Sequence, residues 1–471
     1  MKVSSLRLRG IHRANRSATA TDSPSPHTDG DSARLHLSSF LSLAVLFTSV
    51  FLGSCGSDST SEGRAFDPSQ PVKLTEFYPD SGVYQTKVIL RGTNFGTDPS
   101  AIRVYFNAKQ AAVIGTTGDE LYVQAPRLPG DTCAISVAVG SDSVTYPKTF
   151  IYHKTVTVST IAGNGVTGGQ LTGGQLSGTI IAPRYLCVDM DGNIFVSSRG
   201  TGDESGSYGF CRIDEANDEM DIITTENCNA PCADPTTGVI SVPTETATGS
   251  FLTMDPAEFW SPRHRDFKWP NDYSNIPANG YKHCMVVNPE DGYIYTRYYY
   301  GDVVKINPKT YEVTKIAMTS IGDSYGLTFN PKHPGTLFIS MWSNGGAFAN
   351  SICAINLHDS IPTMVRLSSV NTAGGHRDGR LEKAQFRCPA QIFCDSDGNM
   401  YVADCDNHCI RRISPDGMVE TVLGIPGTRG WKDGGKDDAL FNNPRGIGVA
   451  ADGTVYVGDL GNGRVRKMTI N

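Results

Sequence analysis

The chain reads as all-β, a small β-sandwich followed by a β-propeller, and three observations carry that reading. Gly (50) and Pro (26) together make up about one in six of the 471 residues, the composition of a turn-rich protein. Between residues 71 and 153 short apolar-alternating runs follow one another: KLTEFYP, KVILRG, RVYFN, AAVIG, ELYVQAP, AISVAVG and TFIYH. After residue 155 a strand, a tight turn and a second strand recur as one pattern written five times. The length is enough for two to four domains and a sizeable core. With 41 Lys+Arg against 48 Asp+Glu, a net charge of −7 and no basic stripe after residue 34, a nucleic-acid surface is not expected.

The first element is a leader. Lys2, Arg7, Arg9, Arg13, Arg16 and Arg34 precede the uncharged run Phe40 to Leu52, which is too short to span a bilayer and is expected to be a secretory signal. Leu52-Gly53-Ser54-Cys55 resembles the bacterial lipobox, which implies a signal peptide over 1–54 and lipid attachment at Cys55. An ordinary signal peptide cut near Ser54 is the alternative. Six basic and three acidic residues lie before Cys55, so without them the net charge of −7 becomes −10, a poor match to anionic headgroups. The expected membrane contact is therefore the lipid alone. Residues 55–70 are Gly/Ser-rich and polar and are expected to be a flexible tether.

The second element spans 71–153. FYPDSG (Phe77 to Gly82), LRGTNFG (Leu90 to Gly96), VYFN, APRLPG and the closing TFIY resemble an IPT/TIG immunoglobulin-like domain. The resemblance implies a spacer or interaction module. Within it the glycines around Asn94 and Phe95 are expected to relieve positive-φ turns while Phe95 plugs the end of the sandwich.

The third element spans 155–471. DMDGNIFVSS, NPEDGYIYTRY, NPKHPGTLFISM, DSDGNMYVAD and AADGTVYVGD are each followed by a third strand, and most by a fourth, so the unit is a four-stranded propeller blade. IAGNG, NPRGIGV, DGNMYVAD and NHCIRRI resemble NHL repeats, most cleanly over 386–471. The last blade ends after three strands, and Thr155 to Gly163 supplies an orphan strand that closes the ring and hides an edge. A degenerate blade with an insertion within 227–280 favours six blades over five.

Strand alternation then sorts the loops by face. The DG turns share one face; the long loops share the other and carry all four tryptophans, Trp260, Trp269, Trp342 and Trp431, with the run Tyr298, Tyr299, Tyr300. A concave aromatic rim suits the apolar face of a sugar ring. Arg297, Asn344, Asp404, Asn407 and His408, with Arg199, are expected to supply polar neighbours. The plainer reading has the aromatics pack loops onto blade tops, and Asp404, Asn407 and Asp459 fix their own turns.

Eleven cysteines after Cys55 cannot all pair; Cys405/Cys409 and Cys228/Cys232 are the nearest candidates for disulfides. Their CxxxC spacing is not that of a structural zinc site, and the histidines are scattered without ligand spacing, so no metal and no cofactor are expected. No GxSxG, HExxH or P-loop is present. The expectation is a non-catalytic cell-surface lipoprotein, of the outer membrane and facing outward, that binds a glycan. Its layout resembles that of accessory glycan-binding proteins of bacterial polysaccharide uptake. An envelope protein-interaction scaffold and a metal-dependent lyase or lactonase of propeller type are the alternatives.

Overall fold

The structure, a computed structural model, describes residues 63–127, 130–180, 182–199, 208–244, 251–271 and 281–471. Cys55 and the expected leader lie outside them. Among the described residues no helix is long and apolar enough to cross a membrane.

The sandwich is built from β1 (Lys73–Tyr78), β2 (Ser81–Gly82), β3 (Lys87–Gly96), β4 (Ile102–Phe106), β5 (Lys109–Thr116), β6 (Gly118–Gln124), β7 (Thr132–Val139) and β8 (Asp142–Tyr152), hydrogen-bonded in the order β1-β3-β6-β5-β4-β7-β8-β2. Alternation sets its inside: in β7 every second residue, Cys133, Ile135, Val137 and Val139, is buried against Val88, Leu90, Phe106 and Phe150. The glycines near Phe95 divide two tasks. Gly96 sits at φ 81° and Asn94 at φ 65°, whereas a Cβ on Gly92 would lie 2.4 Å from the Phe95 ring, so Gly92 makes room for the plug. Residues 63–70 depart from the expected free tether. Phe66 packs on the sandwich core, and Asp67 N–H donates to Asn94 Oδ1 at 2.8 Å, because an aromatic next to an exposed apolar edge is better buried than solvated.

The remaining chain forms six blades built on four strands each, and the last two blades carry an extra two-residue edge strand, Gly379–Arg380 and Gly434–Gly435. Blade 1 is Pro183–Val188, Ile194–Arg199, Tyr208–Asp214 and Glu219–Thr224; blade 2 is Cys232–Ala233, Ile240–Pro243, Phe251–Met254 and Arg263–Arg265. Blade 3 is Lys282–Val287, Ile294–Tyr298, Asp302–Ile306 and Val313–Met318; blade 4 is Gly326–Asn330, His333–Met341, Ser351–Asn356 and Met364–Arg366. Blade 5 is Pro389–Cys394, Met400–Asp404, Cys409–Ile413 and Met418–Leu423. Blade 6 takes Pro444–Val449, Val455–Asp459 and Arg464–Ile470 from the end of the chain, and its fourth strand, β9 (Val156–Ala162), from the beginning. Val158 pairs with Met468 and Arg466 with Thr160 across this closure.

The DG turns are side-chain-templated. Asp189 Oδ1 accepts from Asp191 and Asn193 N–H at 3.0 and 2.9 Å, Asp395 does the same for Asp397 and Asn399, and Gly192 and Gly398 take φ 87° and 90°. The hidden second blade keeps this logic in other letters: in DPTTG, Asp234 Oδ1 accepts from Thr236 N–H at 2.8 Å.

The expected disulfides are not formed. All eleven described cysteines are free thiols, and all but the half-buried Cys394 are buried. Cys228 and Cys232 face different inter-blade clusters, and the Cys405 thiol donates to Asn443 Oδ1 at 2.8 Å, so the pairs are held apart by the packing that buries them.

The sandwich meets the DG-turn face. Arg127 Nε donates to the Ile470 carbonyl at 2.8 Å and Nη1 to Asp452 Oδ2 at 2.9 Å, beside a cleft of about 790 Å³ lined by Lys109, Lys154, Asp395 and Asp397. The long-loop face is on the other side of the ring. Arg127→Ala is expected to loosen this joint at a cost of about 1–2 kcal/mol, seen as an earlier, separate melting step for the sandwich in calorimetry. A single unchanged transition would mean that Arg127 does not couple the domains.

Candidate functional site

Close approach of the innermost strands builds the middle of the propeller. Gly446 eases the passage of blade 6 past blade 1, since a Cβ there would lie 3.1 Å from Tyr185 Cα, closer than ordinary contact. Gln391 of blade 5 reaches two neighbours at once: its Nε2 donates to the Leu186 carbonyl at 2.7 Å, and its Oε1 accepts from Leu186 and Ile447 N–H at 3.0 Å each. Among the described residues no three His, Cys, Asp or Glu side chains converge as a metal-binding group.

First strands begin at the long-loop face, and there the aromatic side chains join into one chain of rings. Tyr185 of blade 1 stacks on Tyr325 at the entry to blade 4, centroids 5.3 Å apart and 20° between planes. Tyr325 meets Trp342 edge-on at 5.4 Å and His283 at 4.8 Å. His283 continues to Tyr281 and Tyr299 at 6.4 Å each, and Tyr299 to Tyr300 at 5.3 Å. Along this path Tyr185 and His283 are buried, Tyr325, Trp342 and Tyr299 are half-buried, and Tyr281 and Tyr300 open to solvent at 47% and 42% exposed. Beside it Asn344 and Asp323 are clasped: Asn344 Nδ2 donates to Asp323 Oδ2 and its Oδ1 accepts from Asp323 N–H, both at 2.8 Å. His283 Nδ1 lies 3.4 Å from Asp323 Oδ1. Two arginines border the rings. The Arg445 guanidinium lies 4.7 Å over Trp342, and burial foremost lowers the Arg184 pKa, with the charges of Arg445 and Arg199 adding to the effect.

Of the residues expected to form the site, Tyr299, Tyr300, Trp342 and Asn344 stand together here. Arg297 is behind it and fully buried, donating to Thr319 Oγ1, the Gly322 carbonyl and Ser324 Oγ at 2.8–3.0 Å, and so it holds the loop that presents Asp323 and Tyr325. Burial lowers its pKa to about 10, still charged at neutral pH. Tyr298 is buried and Trp269 half-buried in the core between blades 2 and 3, 6.2 Å from each other. Trp260 is a correction. It lies between the third and fourth strands of blade 2, hence on the DG-turn face, where it packs on Phe195 at 6.0 Å and under Arg212 at 4.6 Å.

Asp404, Asn407, His408 and Trp431 belong to a structural device repeated in blades 5 and 6. The buried Arg411 donates to Asp404 Oδ2 at 2.8 Å and to Asp378 Oδ1 at 2.6 Å, and its guanidinium lies 4.9 Å over Phe386. One blade on, the buried Arg466 does the same with Asp459, Asp433 and Phe441, at the same three distances. Asn407 and Asn462 complete each knot by donating to Asp404 and Asp459. Burial pushes both aspartates up to about 6, so they meet the guanidinium ionised at neutral pH. His408 caps a short turn at φ 56°, and its Nδ1 accepts from Asn443 N–H at 3.1 Å. Trp431, though 52% exposed, donates from Nε1 to Thr160 Oγ1 of β9 at 3.1 Å and carries Arg464 at 3.8 Å over its ring, so it braces the ring closure.

Sequence reasoning missed Arg184, Tyr185, Tyr325 and Arg445. Each sits at the start of a first strand, in APRYL, DSYGL and NPRGI, and the signal that could have found them is the same inner-strand position recurring from blade to blade.

Comparison with known proteins agrees with this architecture. Residues 71–152 match the IPT/TIG domain and residues 441–468 the NHL repeat. The chain thus carries an IPT/TIG domain followed by a six-bladed propeller with NHL-repeat sequence. NHL repeat-containing protein 3 of Mus musculus is 33% identical over 95 residues, which is 20% of this chain and 25% of that protein. Protein SUPPRESSOR OF QUENCHING 1, chloroplastic, of Arabidopsis thaliana is 29% identical over 97 residues, 21% of this chain and 9% of that protein. The chain therefore spans a quarter or less of these curated relatives. Two crystal structures from Bacteroides thetaiotaomicron cover nearly all of the two-domain region. One, of a structural genomics protein of unknown function, aligns with a TM-score of 0.69 at 23% identity over 87% of this chain and 100% of that one. The other, of an auxiliary nutrient binding protein, aligns with a TM-score of 0.56 at 21% identity over 86% and 99%. At these identities the likeness is one of fold.

Proposed function

We propose that the protein is a non-catalytic binding protein of the bacterial cell surface, held by lipid at Cys55, whose long-loop propeller face binds a glycan as an accessory to polysaccharide uptake. The observation that carries this reading is the chain of rings from the buried Tyr185 to the exposed Tyr300. A sugar's C–H face stacks on such plates, and the clasped Asn344 and Asp323 offer hydroxyl partners at their edge. One Bacteroides structure of like fold is that of an auxiliary nutrient binding protein, which accords with it. Attachment of the sandwich on the DG-turn face leaves the ring chain clear of the sandwich, as a spacer between membrane and binding face requires.

Affinity electrophoresis of the full chain in mild detergent against a polysaccharide panel tests the reading. Retardation by at least one glycan is expected. Tyr300→Ala and Trp342→Phe are expected to weaken it roughly tenfold, about 1.4 kcal/mol, with little change in melting, since the first side chain is exposed and the second substitution keeps an aromatic filler. Migration unchanged by every glycan would sink the proposal and direct attention to an envelope protein as partner. Labelling with a radiolabelled fatty acid that persists in Cys55→Ser would remove the anchor from it.

A further inference from the structure

The fully buried arginines among the described residues of this propeller are ligated. Arg297, Arg411 and Arg466 spend their guanidinium hydrogens on carboxylates and carbonyls. Arg184 and Arg445, at the mouth of the inner strands, form no ion pair with any described carboxylate, and the Nε of each is buried without a hydrogen-bond partner among the described residues. The Tyr185 hydroxyl, fully buried with the Arg445 guanidinium beside it, forms no hydrogen bond of full geometry among the described residues. The described acids in the neighbourhood are already engaged: Asp323 by Asn344, with His283 Nδ1 3.4 Å away, and Asp406 by Asn443 Nδ2 at 3.2 Å. Two guanidinium groups and a phenol in a half-buried aromatic mouth, with no paired carboxylate among the described residues, form an unfinished electrostatic arrangement. An arriving anion would compensate the desolvation of both groups more fully than the Trp342 ring under Arg445 does, and the planar guanidinium is shaped for carboxylate, sulfate or phosphate oxygens.

We infer that the Arg184–Arg445 pair is a subsite for the acidic group of the ligand, so that the glycan bound on the long-loop face is an anionic one, bearing carboxylate or sulfate. The inference rests on the glycan-binding reading above and specifies its substrate class. Trp342, sandwiched between Arg445 and Tyr325, links the anionic subsite to the ring chain, so the charge and the sugar plane of one residue are read together.

The test is affinity electrophoresis of the full chain against polygalacturonate, chondroitin sulfate and neutral dextran, with the melting temperature recorded for each variant. One or both acidic polymers are expected to retard the protein and dextran is not. Arg184→Gln and Arg445→Gln are each expected to weaken retention on the order of 10- to 100-fold, the usual worth of a charge-assisted hydrogen bond. Arg445→Lys, which keeps the charge but not the planar fork, is expected to fall between, and Arg387→Gln, at an exposed rim position, to change it little. Carboxylate is told from sulfate by which polymer responds. Retention by dextran alone, or acidic retention indifferent to both glutamine variants at unchanged melting temperature, overturns the anionic subsite and leaves the glycan reading standing. If Arg445→Gln melts early, Arg184→Gln decides alone. No retention by any of the three overturns the anionic subsite, and the wider panel then judges the glycan reading by itself.

Discussion

Arg466→Leu is expected to destabilise the propeller by about 3–5 kcal/mol, the usual cost of orphaning one half of a buried ion pair. The substitution removes volume only modestly but leaves Asp459, itself fully buried, with Asn462 and the Asn442 N–H as its remaining partners. Arg466 also ties the Lys432 and Leu440 carbonyls, so the loop between blades 5 and 6 loses its anchor in the same step. Arg466→Leu combined with Asp459→Asn is expected to recover part of the loss, because the uncompensated charge is gone. The pH dependence has a definite sign. Burial raises the Asp459 pKa to about 6 from an ordinary 3.8, so the protonated form favours folding, fully below 3.8 and no longer above 6. Without Arg466 the pKa rises further, and the deficit of the variant relative to the parent shrinks as the pH is lowered from 8 to 5. Urea denaturation at both pH values measures it; a loss under about 1 kcal/mol at pH 8 would mean that the knot contributes little.

The second large effect is at the ring closure. Val158→Asp is expected to cost about 4 kcal/mol or more, since it places an unpaired carboxylate in the core between blades 5 and 6, where Val158 is 2% exposed beside Phe441, Ile447 and Met468. Ser159, its exposed neighbour on β9, is the control: Ser159→Asp is expected within about 0.5 kcal/mol of the parent. Opening the closure also uncovers the edge of Arg464–Ile470, so the first variant is expected to aggregate on heating, visible as light scattering at the melting transition. Equal melting of the two variants would show that β9 is dispensable to the ring.

Much of the fold was legible because it is periodic. DMDGN and DSDGN announce their turns through an aspartate that templates its own backbone, and strand alternation announces the buried face of Thr132–Val139. Blade 2 was hidden because its strands are only two to four residues long and its turn is DPTTG, so neither alternation nor a DG pair marks it. That one gap moved Trp260 to the wrong face, since face assignment depends on counting strands. The site was legible in half. Tyr299, Tyr300, Trp342 and Asn344 stood out as aromatic and polar residues in long loops, whereas Arg184, Tyr185, Tyr325 and Arg445 are scattered over 262 positions and share only a place at the start of inner strands.

The residues of this chain, by local rules alone, determined that it is all-β, that it repeats, and where its turns fall, because those properties depend on neighbours in sequence. Which arginines are spent and which remain open to a ligand was decided only by the closed ring. Arg411 and Arg445 look alike along the chain, but one folds against Asp404 and Asp378 and the other against tyrosine and tryptophan. Charge compensation is a property of space, and six blades had to come together before it existed.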